Sequence, residues 1–225
     1  LYSLVEDHSV KFSLPVARFT TPDLAISPSG DYVSLFAPGV SFVVIPGYVI
    51  GKLIGISQVG SFAVIALFAL GNAFLIRAIA IRLGAHPLAA SFGAFAFLFA
   101  SPAFAYAVSL YQHHISLFLI LSSFYVLLRW NTWWAVLWVW FASALSLSVD
   151  YPNFFLMLPV GVWALSHMVW VSYGESKTQL HISFKNILTL GGALIPLLFF
   201  LWFNFASTGN PLQLAGTLKR VEALD

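Results

Sequence analysis

The chain has no cysteine and very little charge. Without cysteine there is no disulfide, no zinc-thiolate site and no thiol nucleophile, and the absence by itself fixes no compartment. Charged residues make up 8% of the sequence and hydrophobic ones 60%, with a mean hydropathy of +0.90. A soluble domain carries about 25% charged residues, so this is not the composition of one. The net charge of +2 gives no support to a nucleic-acid partner. The sequence also lacks a Walker loop, a GxGxxG turn, an HExxH pair and any Asn-x-Ser/Thr acceptor site.

What is present is a set of long runs without Asp, Glu, Lys or Arg: Leu53–Ile76, Leu83–Leu128, Trp130–Val149, Tyr151–Gly174 and Asn186–Leu218. A helix needs about 20 apolar residues to cross a bilayer. The runs predict an all-α, polytopic transmembrane bundle of about six spans: Ser57–Ala80, Leu88–Tyr106, Leu110–Leu128, Trp133–Val149, Phe154–Tyr173 and Ile187–Ala206. Residues 1–56 form a polar segment plus an interfacial helix broken by Pro38, Gly39, Pro46 and Gly47. Residues 57–206 form the bundle, and 207–225 a second polar segment. The start at Leu1, without Met or a signal-peptide pattern, reads as a piece of a longer protein with at least one span upstream.

Lys and Arg orient the spans, because basic residues concentrate in cytoplasmic connections. Arg77 and Arg82 flank the first connection, Arg129 marks the third, and Lys177 and Lys185 the fifth. The second and fourth have none. The alternation predicts a multi-pass integral membrane protein, for which the plasma membrane is the expected location. It puts residues 1–35, Tyr106–His114, Asp150–Asn153 and Ser207–Asp225 on the extracytoplasmic face. Asp31, His113, His114, Asp150, Tyr151, Asn204 and Asn210 gather on that side.

Each polar motif has a plain and a functional reading. Asp150 before Tyr151-Pro152 can cap the next helix, or serve as an acid at the bundle mouth that binds a sugar hydroxyl or an amine. His113 and His114 point about 100° apart on a helix, so they do not share one metal. They form an interfacial pair with one ring packed inside, or one of them binds a phosphate or a sugar hydroxyl. Glu6-Asp7-His8 resembles an acidic metal or base cluster, with solvated loop charge as the plain and favoured reading. Lys11, Arg18, Lys52, Lys219 and Arg220 suit general contact with lipid phosphate. Apart from Asp150 at an end, no expected span holds a carboxylate, which argues against a proton-coupled transporter.

Several of these motifs, in order, resemble a known family. Asp31-Tyr32-Val33-Ser34-Leu35-Phe36-Ala37-Pro38-Gly39-Val40-Ser41, followed by Pro46-Gly47-Tyr48, resembles the "YYS-x-x-APG-x-S" segment of polytopic GT-C class glycosyltransferases. These are the enzymes allied to the protein mannosyltransferase and lipid A aminoarabinose transferase families. Arg82-Leu83-Gly84, Tyr111-Gln112-His113-His114, Asp150-Tyr151-Pro152 and Asn204 with Gly209-Asn210-Pro211 resemble further motifs of that class. Ser3-Leu4-Val5-Glu6 is similar to a stretch that in the family follows the proposed catalytic acid. That acid is therefore expected upstream of Leu1 and is not carried onto Glu6 or Asp7.

The resemblance, to members of unassigned substrate, implies transfer of a sugar from a polyprenyl-phosphate donor to an acceptor on the extracytoplasmic face. Asp150 would be a catalytic or orienting carboxylate. Asp31, Tyr32, His113, His114, Tyr151 and Asn204 would line or position the substrate site. Basic residues, or alternatively a divalent metal, would offset the donor phosphate. The rival reading is a non-catalytic membrane scaffold or transporter for envelope polysaccharide, although no inverted repeat stands out. A lipid-modifying acyl or phosphoryl transferase would require a clearer His/Asp cluster.

Overall fold

The computed structural model describes residues 1–20, 23–173 and 178–221. Glu175 and Lys177 of the fifth connection, and residues 222–225, lie outside them. The chain runs α1 (Tyr2–Val5), α2 (Leu14–Thr20), β1 (Leu24–Ile26), β2 (Tyr32–Ser34) and α3 (Gly39–Leu53). It continues through α4 (Ser57–Arg82), α5 (Pro87–Phe99), α6 (Ala103–Ala107), α7 (His113–Arg129), α8 (Trp133–Val149) and α9 (Asn153–Ser166). A hairpin of β3 (Val169–Tyr173) and β4 (Thr178–Ile182) leads to α10 (Phe184–Ile187), a 3-10 turn, α11 (Leu194–Thr208) and β5 (Lys219–Val221). The protein is mostly helical, and the expectation of an all-α chain is corrected by these five strands.

The N-terminal segment is ordered as a small cap. Its antiparallel sheet has the order β2-β1-β5, with Leu24 opposite Ser34 and Val221. Gly30 takes the left-handed conformation (φ 88°) that closes the β1–β2 turn. Ala17, Leu24 and Val221 form the cap's own core with Phe12 and Tyr32. Strands of three residues are too short for an alternating pattern to emerge, so the segment reads as loop in the sequence.

Two helical stretches are long and apolar enough to cross a membrane, Ser57–Arg82 and Phe184–Thr208. Only 17% of each apolar window is buried, which is not the condition of a soluble protein's core helix. Leu67 and Phe74 of α4 are 66% and 72% exposed. The other apolar helices are shorter, so helix length alone does not support six crossings. The 13 residues of α5 extend about 20 Å, against a hydrocarbon core of about 30 Å. The run Leu88–Tyr106 breaks at Ser101-Pro102, where Pro102 has no N–H to continue α5. Ser101 Oγ instead accepts the Ala103 N–H at 3.1 Å. The run Phe154–Tyr173 leaves the helix after Ser166, and its β-branched, aromatic end Val169–Tyr173 pairs with Thr178–Ile182. In contrast, α3 continues through Pro46 as one helix.

The central core joins Val44, Ile65, Ile115, Leu119, Ala142, Val149 and Met157 from five helices. Small residues let backbones approach. A Cβ on Gly47 would sit 2.2 Å from the Gly60 carbonyl oxygen, and one on Gly39 2.5 Å from that of Ser148. This close packing places the start of α3 beside the end of α8.

Candidate functional site

One cavity of about 390 Å³ opens where α7 begins and α8 ends, beneath the cap. Its volume falls in the range of small-molecule sites. Asp150, His113, Gln112 and Tyr111 line it together with Asp23, Ser9, Ser34, Ser41, Phe36 and Pro38.

Asp150 ends α8 in an extended conformation. Its side chain does not cap α9, whose N-cap is Pro152 with no side-chain hydrogen bond. Its Oδ2 accepts instead from Gln112 Nε2 at 3.3 Å. Behind it, buried Asn153 donates to Ser116 Oγ at 2.8 Å and to the Ser146 carbonyl at 3.0 Å, joining α9 to α7 and α8. The carboxylate is thus positioned by a buried amide one turn away.

His113 faces the cavity, with its ring edge-on to Tyr106 at 4.6 Å and stacked near Tyr111 at 5.9 Å. His114 turns inward and is 3% exposed. Asn72 Nδ2 donates to its carbonyl (2.9 Å) and lies 3.3 Å from its Nδ1, while its Nε2 is 2.8 Å from the Ala103 carbonyl. These partners select the neutral tautomer with the proton on Nε2. His114 therefore fastens α4, α6 and α7 rather than lining the cavity.

The remaining sequence-chosen residues lie around the site, not in it. Asp31 accepts from Lys11 Nζ at 2.5 Å and Ser29 Oγ at 2.6 Å. The Lys11 ammonium, then Ser29, hold its carboxyl below the usual range. Tyr32 takes the Phe12 N–H on its carbonyl and packs in the cap. The Tyr151 hydroxyl is buried without a hydrogen-bond partner of good geometry, and burial pushes the phenol up, partly offset by the Ala215 backbone. Asn204 is 1% exposed and donates to the Pro211 carbonyl at 3.1 Å, fixing the loop after α11.

Gln112, Tyr111, Asp23, Ser34 and Ser41 were not singled out as site residues from the sequence. Tyr111, Gln112, Ser34 and Ser41 lie inside the motifs quoted above, whereas no sequence signal pointed to Asp23. Glu6 makes a two-oxygen contact to Lys52 (2.7 and 2.6 Å) and accepts from Tyr48 Oη at 3.0 Å, anchoring the N-terminus on α3. The Lys52 ammonium, then Tyr48, hold its carboxyl low.

Two carboxylates and one imidazole line the cavity, and among the described residues no Lys or Arg does. No group of three or more His, Asp or Glu is placed to hold a metal among the described residues. The lining suits hydroxyl groups, because it combines carboxylate and amide acceptors with aromatic faces. No family model, curated protein or solved structure matches the chain.

Proposed function

We propose that the protein is a multi-pass membrane glycosyltransferase of the GT-C type, moving a sugar from a polyprenyl-phosphate donor to an acceptor hydroxyl at this cavity. The supporting observation is convergence. Three motif segments far apart in sequence, Ser34–Ser41, Tyr111–His113 and Val149–Asp150, line a single cavity.

In this reading the acceptor oxygen attacks the anomeric carbon and the bond from that carbon to the phosphate oxygen breaks. Asp150 takes the acceptor proton, and polyprenyl phosphate leaves. Gln112 holds Asp150 in place, and Tyr111 and His113 pack on the sugar face. His113 offers the phosphate a ring N–H. Exposed apolar side chains such as Phe92, Phe95, Phe155 and Val162, on the shorter helices α5 and α9, support several bilayer passes. The basic turns support a cytoplasmic location for the opposite end, which leaves the cavity on the extracytoplasmic face.

The test offers full-length protein in membranes a panel of radiolabelled polyprenyl-phosphate sugars and follows label into protein, lipid and glycan. Asp150→Asn should lose about 10²–10⁴-fold in transfer, the usual worth of a positioned base. Asp31→Asn should stay near wild type. Equal transfer by Asp150→Asn would remove Asp150 from the chemistry. No transfer from any donor, with the protein inserted and folded, would favour a scaffold or transporter.

A further inference from the structure

A second polar site lies at the other end of the bundle. Arg77 and Arg82 come from the last turns of α4, and Arg129 is the last residue of α7. With Ala78, Ile81 and Tyr125 they line one open cleft of about 410 Å³. No acid lines the cleft, and among the described residues none of the three arginines pairs with a carboxylate. Arg77 is fastened through Nε, which donates to Ser91 Oγ at 2.9 Å, and Ser91 Oγ in turn donates to the Pro87 carbonyl. Arg129 lies over the Trp130 ring, with its guanidinium carbon 6.0 Å from the centroid.

The simplest account of arginines at helix ends is compensation of the macrodipole. Each helix C-terminus carries about half a negative charge, so α4 and α7 together present about one. Three arginines overshoot this by about two positive charges. That excess, on planar forks that match phosphate oxygens, is the complement of a phosphate group. The Tyr125 side chain shares the cleft and offers a hydroxyl donor. Leading up α4 to Arg77, exposed Leu67, Leu70 and Phe74 share one helix face and form an apolar strip that an acyl chain can follow.

We infer that the Arg77–Arg82–Arg129 cleft binds a phosphate group, whether that of an anionic lipid headgroup or that of a soluble phosphate. The site stands independently of sugar transfer at the opposite end.

The experiment uses the full chain, purified in neutral detergent. In one arm, native mass spectrometry compares retention of phosphatidylglycerol with that of phosphatidylcholine. In the other, pyrophosphate is titrated calorimetrically in lipid-free micelles. Each Arg→Gln change should weaken binding about fivefold, the scale for one basic residue near an anionic surface. Preference for phosphatidylglycerol that falls in the Gln variants identifies a lipid headgroup. Pyrophosphate binding that falls in the same way identifies a soluble phosphate. The triple variant Arg77→Lys, Arg82→Lys, Arg129→Lys keeps the charge and guards against misfolding of the Gln series. It should still bind distinctly less than wild type, because an ammonium cannot make the two-pronged contact. Undiminished binding by the Lys variant would mean diffuse surface charge and would overturn the site. So would the absence of binding to both probes by wild type.

Discussion

Replacing Gly47 by Ala tests how α3 is seated, and with it one wall of the cavity. The new Cβ would meet the Gly60 carbonyl oxygen at 2.2 Å and Val64 Cγ2 at 2.5 Å, where ordinary contact begins at 3.4 Å. The oxygen belongs to backbone, so relief requires α3 and α4 to separate. Overpacking of this kind costs about 1–3 kcal/mol. Opposing it, Ala is a better helix former than Gly by about 1 kcal/mol. Gly93, inside α5 with nothing within 4 Å of its virtual Cβ, supplies the comparison. Both substitutions gain the propensity benefit, so it cancels in their difference. Gly47→Ala should therefore be less stable than Gly93→Ala by about 1–3 kcal/mol. Denaturant unfolding in one detergent, monitored by tryptophan fluorescence and far-UV dichroism, measures that difference. Because Pro38, Val40 and Ser41 at the start of α3 line the cavity, Gly47→Ala should also weaken substrate binding. Equal stabilities for the two variants would refute the close approach and its part in shaping the site.

Asn72→Leu should destabilise the bundle by about 1–3 kcal/mol by leaving the buried His114 Nδ1 unpaired. A double-mutant cycle with His114→Leu in thermal unfolding should show coupling between the two positions. Asn153→Ala should cost a similar amount, about 1–3 kcal/mol, with Ser116 and the Ser146 carbonyl losing their donor. The Glu6 carboxyl is held low by Lys52, so its support of the cap is present at neutral pH. That support is lost as pH falls through and below the ordinary carboxylate range near about 4. Limited proteolysis of the N-terminal segment against pH should show this opening. Lys52→Ala should open it already at neutral pH, by a modest amount because the pair is exposed.

Much of the helical architecture was legible because it depends on long apolar runs and on punctuation by charge. Arg77, Arg82 and Arg129 do meet at one end, and Tyr111–His113 and Asp150 at the other. Features that depend on pairing were not legible. The cap sheet joins Leu24–Ile26 to Lys219–Val221, nearly the whole chain apart, and neither strand is long enough to show alternation. Val169–Tyr173 continues the charge-free run of the helix before it. What makes it a strand is its partner Thr178–Ile182, where Trp170 stacks on His181 at 5.3 Å. Composition measured hydrophobic length and could not show where Ser101-Pro102 would stop α5.

The site residues divide along a physical line that the sequence does not reveal. A buried polar group needs a partner, so His114, Asn153 and Asn204 have their hydrogen-bonding capacity engaged inside the fold. They hold the helix ends that carry His113, Asp150 and the loop leading to β5. His113 and Asp150 instead open onto the cavity, where a ligand can complete their hydrogen bonding. The two groups should fail differently when changed. Loss of a buried tie lowers stability and activity together, because the supporting backbone moves. Loss of a cavity group lowers activity while stability holds, since no internal partner is left unpaired except Gln112 at Asp150. Measuring unfolding and transfer on the same variants would therefore separate positioning residues from those that meet the substrate. His113 and His114, adjacent in the chain, should fall on opposite sides of that division.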